Sequence, residues 1–375
     1  MKNLLLVINE DRFFLSHRTN IAVNAAAHGW DVTLVTKDTG KRKDIEAMGF
    51  KYIELPVNPT GMNIFEEIKT MCFLYRLYKH NPNAIIHHVG LKNMLWGGIA
   101  SRIAKSRGVL FAVSGLGTLF GSNNSLLIST LIQKFLKFGM NKSNVAVIFQ
   151  NHEDESLFIN KGIVDRCKHY FIKGSGVDLI EYSYSEPKEE NPLIIIFTAR
   201  MLKEKGVLNL VEAAEILREE YEGKVEFWLC GGLSTNPSAL SKEEMLNMVD
   251  GKYIKWLGHR NDVKDLLRKS SIMCFPSYYR EGVPKSLIEA SAVGRPIITT
   301  NSVGCKDTVE NGINGIIVPV KDSVALSEAL RKLIDNADLR RSMGLESRKI
   351  AERDYDVNFV ADMHLRIYES LNDEE

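Results

Sequence analysis

Glu281 and Glu289 stand eight positions apart in the run from Arg280 to Ala290, one on either side of Pro284. Two carboxylates facing one mouth can divide a polar ligand, one holding sugar hydroxyls and the other a ribose. Pro284 suits the first turn of a helix, where its missing N–H is not needed, and Gly294 suits the left-handed position just past the helix end. Upstream, Ser271 to Pro276 is a short apolar run that reads as a buried strand, so the helix begins inside the loop that leaves that strand. The N–H groups of Lys285, Ser286 and Leu287, backed by the helix dipole, then form an anion site. Glu289, roughly one and a half turns in, looks back toward the same mouth. A second pair of charges, Arg200 and Lys205, follows the apolar run Leu193 to Thr198. Arginine grips a diphosphate as a fork and lysine as a point charge. The plain alternatives are a solvated loop for the cations and cap or surface roles for the glutamates.

The elements that must position these groups alternate through the whole chain. Short apolar runs at 4–8, 31–35, 84–88, 110–113, 145–149 and 170–172 read as strands between longer helical patterns, and the same alternation returns at 193–198, 225–230, 254–257, 272–275, 296–299 and 315–318. This is α/β patterning with parallel sheets. A chain of 375 residues has room for two such domains, each with its own core. The stretch from Gly174 to Pro192 is rich in Gly, Ser, Pro and charge and reads as the hinge. The expected domains are therefore 1–174 and 175–356, with a last helix over 357–375, periodic in Phe359, Met363, Ile367 and Leu371.

The glutamate spacing, the strand ending in Arg200 and Lys205-Gly206, and the later segments Asn301 to Gly304 and Val309 to Pro319 resemble the family 4 retaining glycosyltransferases. That resemblance implies the GT-B architecture, two facing Rossmann-like domains with an interdomain cleft. It implies a nucleotide-sugar donor, a UDP-sugar, used without a required metal. By the same resemblance Glu281, Arg200 and Lys205 are the candidate catalytic residues. Glu289 would hold the ribose, Gly282, Lys285, Ser286 and Leu287 the diphosphate, and Arg260, beside Gly258 and His259, the uracil. The string Phe14 to Arg18 resembles a bacterial subset that extends lipid-linked oligosaccharides, which makes His17 and Arg18 candidates for an acceptor pyrophosphate. Ser114 and Gly115, in the turn Val113 to Thr118, stand where many relatives place a histidine and are further acceptor candidates. The loop expected over Asn9 to His17 lacks the glycines that often follow the first strand in the family.

Composition bounds the partners. Residues 1–174 carry 22 Lys and Arg against 13 Asp and Glu, and the remainder 26 against 34, so opposite fields are segregated along the chain. No acid occurs between Glu67 and Glu153, whereas ten Lys or Arg do. Nucleic acid is disfavoured, because the basic residues are interleaved with aliphatics and form no arginine cluster. An anionic membrane surface or a polyprenyl-diphosphate-linked acceptor fits better. The helical patterns over 64–79 and 126–138 suit a membrane interface or a core-facing role. Five cysteines without C-x-x-C pairing indicate neither a disulfide framework nor zinc and fit a reducing cytosol. The apolar run after Lys2 is too short for a signal peptide, and no run approaches the roughly 20 residues of a membrane span. The expected location is the cytoplasmic face of the inner membrane, peripherally attached. Asp354-Tyr355-Asp356 spells D-x-D but introduces the last helix, and Glu153 to Glu155 suits a first helical turn. His87 and His88, neighbours on a strand, make a poor metal pair, one expected in the core and one near the cleft. The expected activity is transfer of an N-acetylhexosamine such as GalNAc to a lipid-diphosphate-linked saccharide. The rival readings are a soluble acceptor, a nucleotide-sugar epimerase or oxidoreductase, and a non-catalytic binding protein. Against the oxidoreductase, no G-x-G-x-x-G follows the first strand.

Overall fold

The computed structural model describes residues 2–58, 63–115, 126–187, 191–234 and 236–373, with the side chains of 126–128 left aside. The chain divides into two compact units, Met1–Ser175 with Val357–Glu375, and Gly176–Asp356. Each is a parallel sheet covered by helices on both faces.

In the first unit seven strands run in the order β3-β2-β1-β4-β5-β6-β7. They are β1 (Lys2–Glu10), β2 (Trp30–Lys37), β3 (Lys51–Glu54), β4 (Ile85–Val89), β5 (Gly108–Val113), β6 (Val145–Phe149) and β7 (Lys168–Phe171). Strand β1 shows why the sheet is buried on both sides. Leu4, Leu6 and Ile8 enter one core, shared with Phe14, Ile21 and Ala25, whereas Leu5 and Val7 enter the opposite core with Leu74, Tyr78, Leu136 and Met140. Alternation along a strand sends neighbours to opposite faces, and both faces need apolar side chains in a parallel sheet. The first core is covered by α1 (Asp11–His17), α2 (Thr19–Ala27) and the returning C-terminal helix α14 (Val357–Asp373), the second by α4 (Ile64–His80), α5 (Gly98–Ala104) and α6 (Leu126–Met140). Strand β3, a four-residue edge strand with alternating exposure, carries too little apolar sequence to stand out in the sequence pattern.

Helix α14 buries Ile367 and Leu371 of its expected apolar period, with Met363 packed against the core, but not Phe359. Val360, His364, Leu365, Tyr368 and Leu371 are buried and Phe359 is exposed. The apolar period through Phe359 is displaced because His364 and Tyr368, polar by type, belong to the core face: the His87 Nδ1 and the Tyr368 hydroxyl share a hydrogen bond of 2.7 Å. Asn24 Nδ2 also donates to Asp362 at 3.0 Å, tying α14 to α2.

The second unit has six strands in the order β10-β9-β8-β11-β12-β13. They are β8 (Leu193–Thr198), β9 (Val225–Cys230), β10 (Ile254–Gly258), β11 (Ile272–Phe275), β12 (Ile297–Thr300) and β13 (Gly315–Val318). Strand β8 pairs in parallel with β9 (Leu193 opposite Val225) and with β11 (Ile195 opposite Ile272). Helix α11 (Lys285–Val293) crosses from β11 to β12 and packs beside α13 (Ala337–Asp354), with Leu287, Ala290 and Val293 in the main core. Arg295, after α11, is buried and donates to the carbonyls of Ser270 (2.5 Å) and Val293 (3.1 Å) and to Ser185. It thereby fixes the segment that leads into this unit.

Candidate active site

Strand order in the second unit reverses between β8 and β11: the chain runs outward from β8 through β9 to β10, then returns to the other side of β8. Loops leaving the carboxyl ends of two such strands diverge and open a crevice. The loop after β8 carries Arg200, Glu204 and Lys205, and the loop after β11 carries Ser277, Tyr279 and Glu281. Backbone ties join them, since Tyr278 N–H donates to the Glu204 carbonyl at 2.9 Å and Ser277 Oγ reaches the same carbonyl at 3.2 Å. Gly206, at φ +80°, permits this approach, because a Cβ there would lie 2.0 Å from the Pro276 carbonyl oxygen.

Lys205 Nζ donates to Glu281 Oε1 across 76 positions of sequence, and Ser277 Oγ donates to the same oxygen at 3.3 Å. The two side chains are 14% and 13% exposed, so the pair is shielded yet reachable. The ammonium also lies 5.5 Å from the ring centres of Phe275 and Tyr279, within cation–π range. Arg200 is exposed at the end of β8 and lies near enough to Tyr279 to draw its phenol pKa down, against burial and the Glu281 and Glu204 carboxylates, which push it up and prevail. Lys205 and Glu281 thus meet beside the Tyr279 ring, and Arg200 stands on the same loop as Lys205. An anionic group placed here would compete with the Glu281 carboxylate for the Lys205 ammonium.

The floor beneath Glu281 comes from the turn after β12. Glu281 N–H donates to the Val303 carbonyl at 3.3 Å, and a Cβ on Gly304, at φ +81°, would lie 1.8 Å from the Gly282 carbonyl oxygen. Helix α11 opens one residue later than the proline suggests. Pro284 occupies the cap position with extended geometry and Lys285 is the first helical residue. Leu287 N–H donates back to the Pro284 carbonyl at 3.0 Å, so of the three amides read as anion donors this one is already engaged. Tight closure over Pro284 is the reason, and it leaves the opening of the helix to Lys285 and Ser286.

Glu289 is largely enclosed. The Tyr182 hydroxyl hydrogen-bonds its carboxylate, Lys285 Nζ stands 3.9 Å away, and burial holds its pKa above the usual carboxylate range despite both. Arg260, exposed after β10, forks onto Asp262 at 2.8 and 2.6 Å. It is separated from β8 by β9 in the sheet.

The acceptor candidates lie in the first unit. Ser114 and Gly115 follow β5, with Gly115 at φ +95°, and Leu116 to Thr118 of the same turn lie outside the described residues. The segment expected to be a loop after the first strand is helix α1, whose buried Asp11 and Phe14 fall on one helical face. His17 ends this helix, stacked on Phe13 at 4.3 Å, with Nδ1 at 2.7 Å from Ser16 Oγ. Arg18 is 2% exposed, its Nε has no partner, and burial lowers the guanidinium pKa to about 10. Both His87 and His88 are buried, contrary to the expectation of one near a cleft. Strand β4 is central and covered on both faces, so each alternate side chain ends in a core. Burial depresses both imidazoles, His88 to about 3. Asp354 pairs with Arg353 at 2.8 Å. Among the described residues no group of three or more His, Cys, Asp or Glu is placed to hold a metal.

Tyr182, Ser277 and Tyr279 complete this site without standing out in the sequence, and Gly304 closes the Asn301 to Gly304 segment singled out there. The adjacent aromatics Tyr278-Tyr279 between a strand end and a helix start were the available signal.

A family model described as glycosyl transferases group 1 matches residues 180–350, and one described as glycosyl transferase 4-like matches residues 3–151. The chain is 27% identical over 352 residues to the N,N'-diacetylbacillosaminyl-diphospho-undecaprenol alpha-1,3-N-acetylgalactosaminyltransferase of Campylobacter jejuni, covering 90% of each chain. It is 25% identical to the UDP-Gal:alpha-D-GlcNAc-diphosphoundecaprenol alpha-1,3-galactosyltransferase of Escherichia coli, over 82% of this chain and 81% of the other. In fold it is similar to Anabaena Alr3699/HepE, solved in complex with UDP, at a TM-score of 0.75 and 17% identity, covering 99% of this chain and 100% of the other.

Proposed function

Because this chain belongs to the family 4 type of GT-B glycosyltransferases, we propose that it moves an N-acetylhexosamine, GalNAc in the first instance, from a UDP-sugar to a polyprenyl-diphosphate-linked saccharide, with retention at the anomeric carbon. The observation that carries this reading is the meeting of Lys205 and Glu281 at the strand reversal of the second unit, with Arg200 on the loop that carries Lys205. As the bond from the anomeric carbon to the diphosphate breaks, the leaving oxygens gain roughly one negative charge, which Lys205 and Arg200 neutralise. The acceptor hydroxyl oxygen bonds to the anomeric carbon on the same face, and its proton passes to the departing diphosphate. Glu281 holds hydroxyls of the transferred sugar, Glu289 the ribose, Gly282, Lys285 and Ser286 the phosphates, and Arg260 the base side. His17, Ser114 and Gly115 serve the acceptor, whereas Arg18, enclosed in the core, stays out of its reach. No metal is required, the two side-chain cations taking its place.

The two relatives named above carry diphospho-undecaprenol acceptors in their names, which supports the lipid-linked acceptor. The basic, acid-free run of the first unit supports an anionic membrane surface as partner and a peripheral position at the cytoplasmic face of the inner membrane. Among the described residues no helix is long and apolar enough to cross a membrane. An epimerase is not favoured, as both matching family models are glycosyl transferases. The test is transfer from a panel of UDP-sugars to a polyprenyl-diphosphate-linked acceptor by wild type, Arg200→Ala and Glu281→Ala. Transfer from one UDP-N-acetylhexosamine, lost in both variants, is expected. Equal rates in all three proteins would remove these residues from the reaction.

A further inference from the structure

At the amino-terminal edge of the first unit's sheet, between the ends of α5 and α6, lies a recess of about 10 Å³, room for one water-sized group. Arg102, Lys142, Ser101, Ser106 and Asn144 line it. Ser106 is 5% exposed and its Oγ has no hydrogen-bond partner, and Asn144 Oδ1 is likewise buried and unpartnered. A buried hydroxyl without a partner costs stability unless something outside the protein meets it. The cations are equally unmatched. Among the described residues Arg102 Nη1 reaches the Asn141 carbonyl, at 3.3 Å, and its guanidinium lies 5.4 Å from the Phe138 ring centre. Burial lowers the pKa of Lys142, and the charges of Arg102 and Lys105 lower it further. Among the described residues none of these three has a carboxylate partner, whereas surface lysines elsewhere, such as Lys41 with Asp44, do. Ile103 and Phe138, beside the recess on α5 and α6, and Leu131 two turns back along α6, are exposed.

We propose that this recess binds the phosphate of an anionic lipid headgroup. One phosphate oxygen takes the Ser106 hydroxyl at the floor, and Arg102 and Lys142 neutralise the charge at the mouth. Ile103, Leu131 and Phe138 face the acyl boundary around it, as in an interfacial surface. The site deepens the membrane partner named above and rests on that reading for the lipid source of the phosphate.

The test uses the full chain and phosphatidylcholine vesicles with or without phosphatidylglycerol, read by sedimentation. Arg102→Gln with Lys142→Gln should weaken binding to the anionic vesicles about 30-fold, at about fivefold per charge near the surface. The charge-matched pair Lys79→Gln with Lys134→Gln, outside the recess, should weaken it less than tenfold. Ser106→Ala, with no charge change, should cost about 3- to 10-fold. Equal losses in the two double variants together with a silent Ser106→Ala would overturn the site in favour of diffuse attraction. Glycerol phosphate should compete with the vesicles. Thermal stabilisation by inorganic phosphate without vesicle binding would overturn the lipid source. Donor hydrolysis is expected to be unchanged in every variant, which reports folding. Vesicle binding is read without donor or acceptor sugar, so failure of the transfer reading leaves its result standing.

Discussion

Replacing Lys205 by Met tests whether the ammonium acts on the reaction or only on the fold. The ammonium stands in hydrogen-bond contact with Glu281 and is shielded from water on two sides by Phe275 and Tyr279. One unit charge about 4 Å from one unit of developing charge is worth about 4 kcal/mol at an effective dielectric constant of ~20. Water entering the vacated space recovers part of this, leaving about 2 to 3 kcal/mol, or a loss of roughly 30- to 150-fold in kcat. The same substitution strands the Glu281 carboxylate, so stability falls too, by up to about 3 kcal/mol for a partly buried pair. A second variant, Lys205→Met with Glu281→Gln, separates the effects. Removing both charges should restore most of the stability, measured by urea denaturation, while kcat for nucleoside diphosphate release stays low. Recovery of kcat in the double variant, or an unchanged kcat in Lys205→Met, would show that the pair is only a structural clamp and refute the reasoning.

Gly304→Ala should lower stability by about 1 to 3 kcal/mol and raise the donor KM, because its Cβ would meet the Gly282 carbonyl oxygen at 1.8 Å under a positive φ; an unchanged melting temperature and KM would contradict the close approach. The first unit should lose stability as pH falls below about 6.5. His88 and His364 are held to about 3 in the fold and His87 is also depressed, so the unfolded chain binds more protons between those values. At about 1.4 kcal/mol per pH unit and histidine, the three together contribute at most about 4 kcal/mol per unit. Urea midpoints from pH 7.5 to 5 check the slope, and His88→Gln should make it shallower. If, as proposed, side-chain cations do the neutralising, transfer by enzyme exhaustively treated with EDTA and assayed without divalent cations should proceed within about twofold of the untreated rate; a loss restored by magnesium or manganese would assign that task to a metal.

Much of the architecture was legible because it is written locally. Each of the twelve anticipated strands overlaps an observed one, since a parallel strand buried on both faces must be an apolar run. The exception is Lys51–Glu54 at the sheet edge, where half the residues face solvent. The glutamate spacing marked the loop and helix of the site, yet the details of its opening were not visible. Whether Pro284 lies in the first turn or at the cap, and whether the Leu287 amide is free, depends on how tightly the chain closes over Pro284. On the last helix Ile367 and Leu371 were legible as core, whereas His364 and Tyr368 were missed because they count as polar by type but are held in the core beside His87.

The amino-acid order by itself determined the repeated strand and helix alternation, the point where one sheet ends and the other begins, and the charged residues at strand exits, because each is a property of neighbours along the chain. Only the tertiary structure decided that Lys205 meets Glu281 across 76 positions, that Gly304 lies beneath Gly282, and that Ser106 is left without a partner between Arg102 and Lys142. Those outcomes follow from strand order in the sheet, which places side by side loops that are remote in sequence, and no local pattern encodes that order.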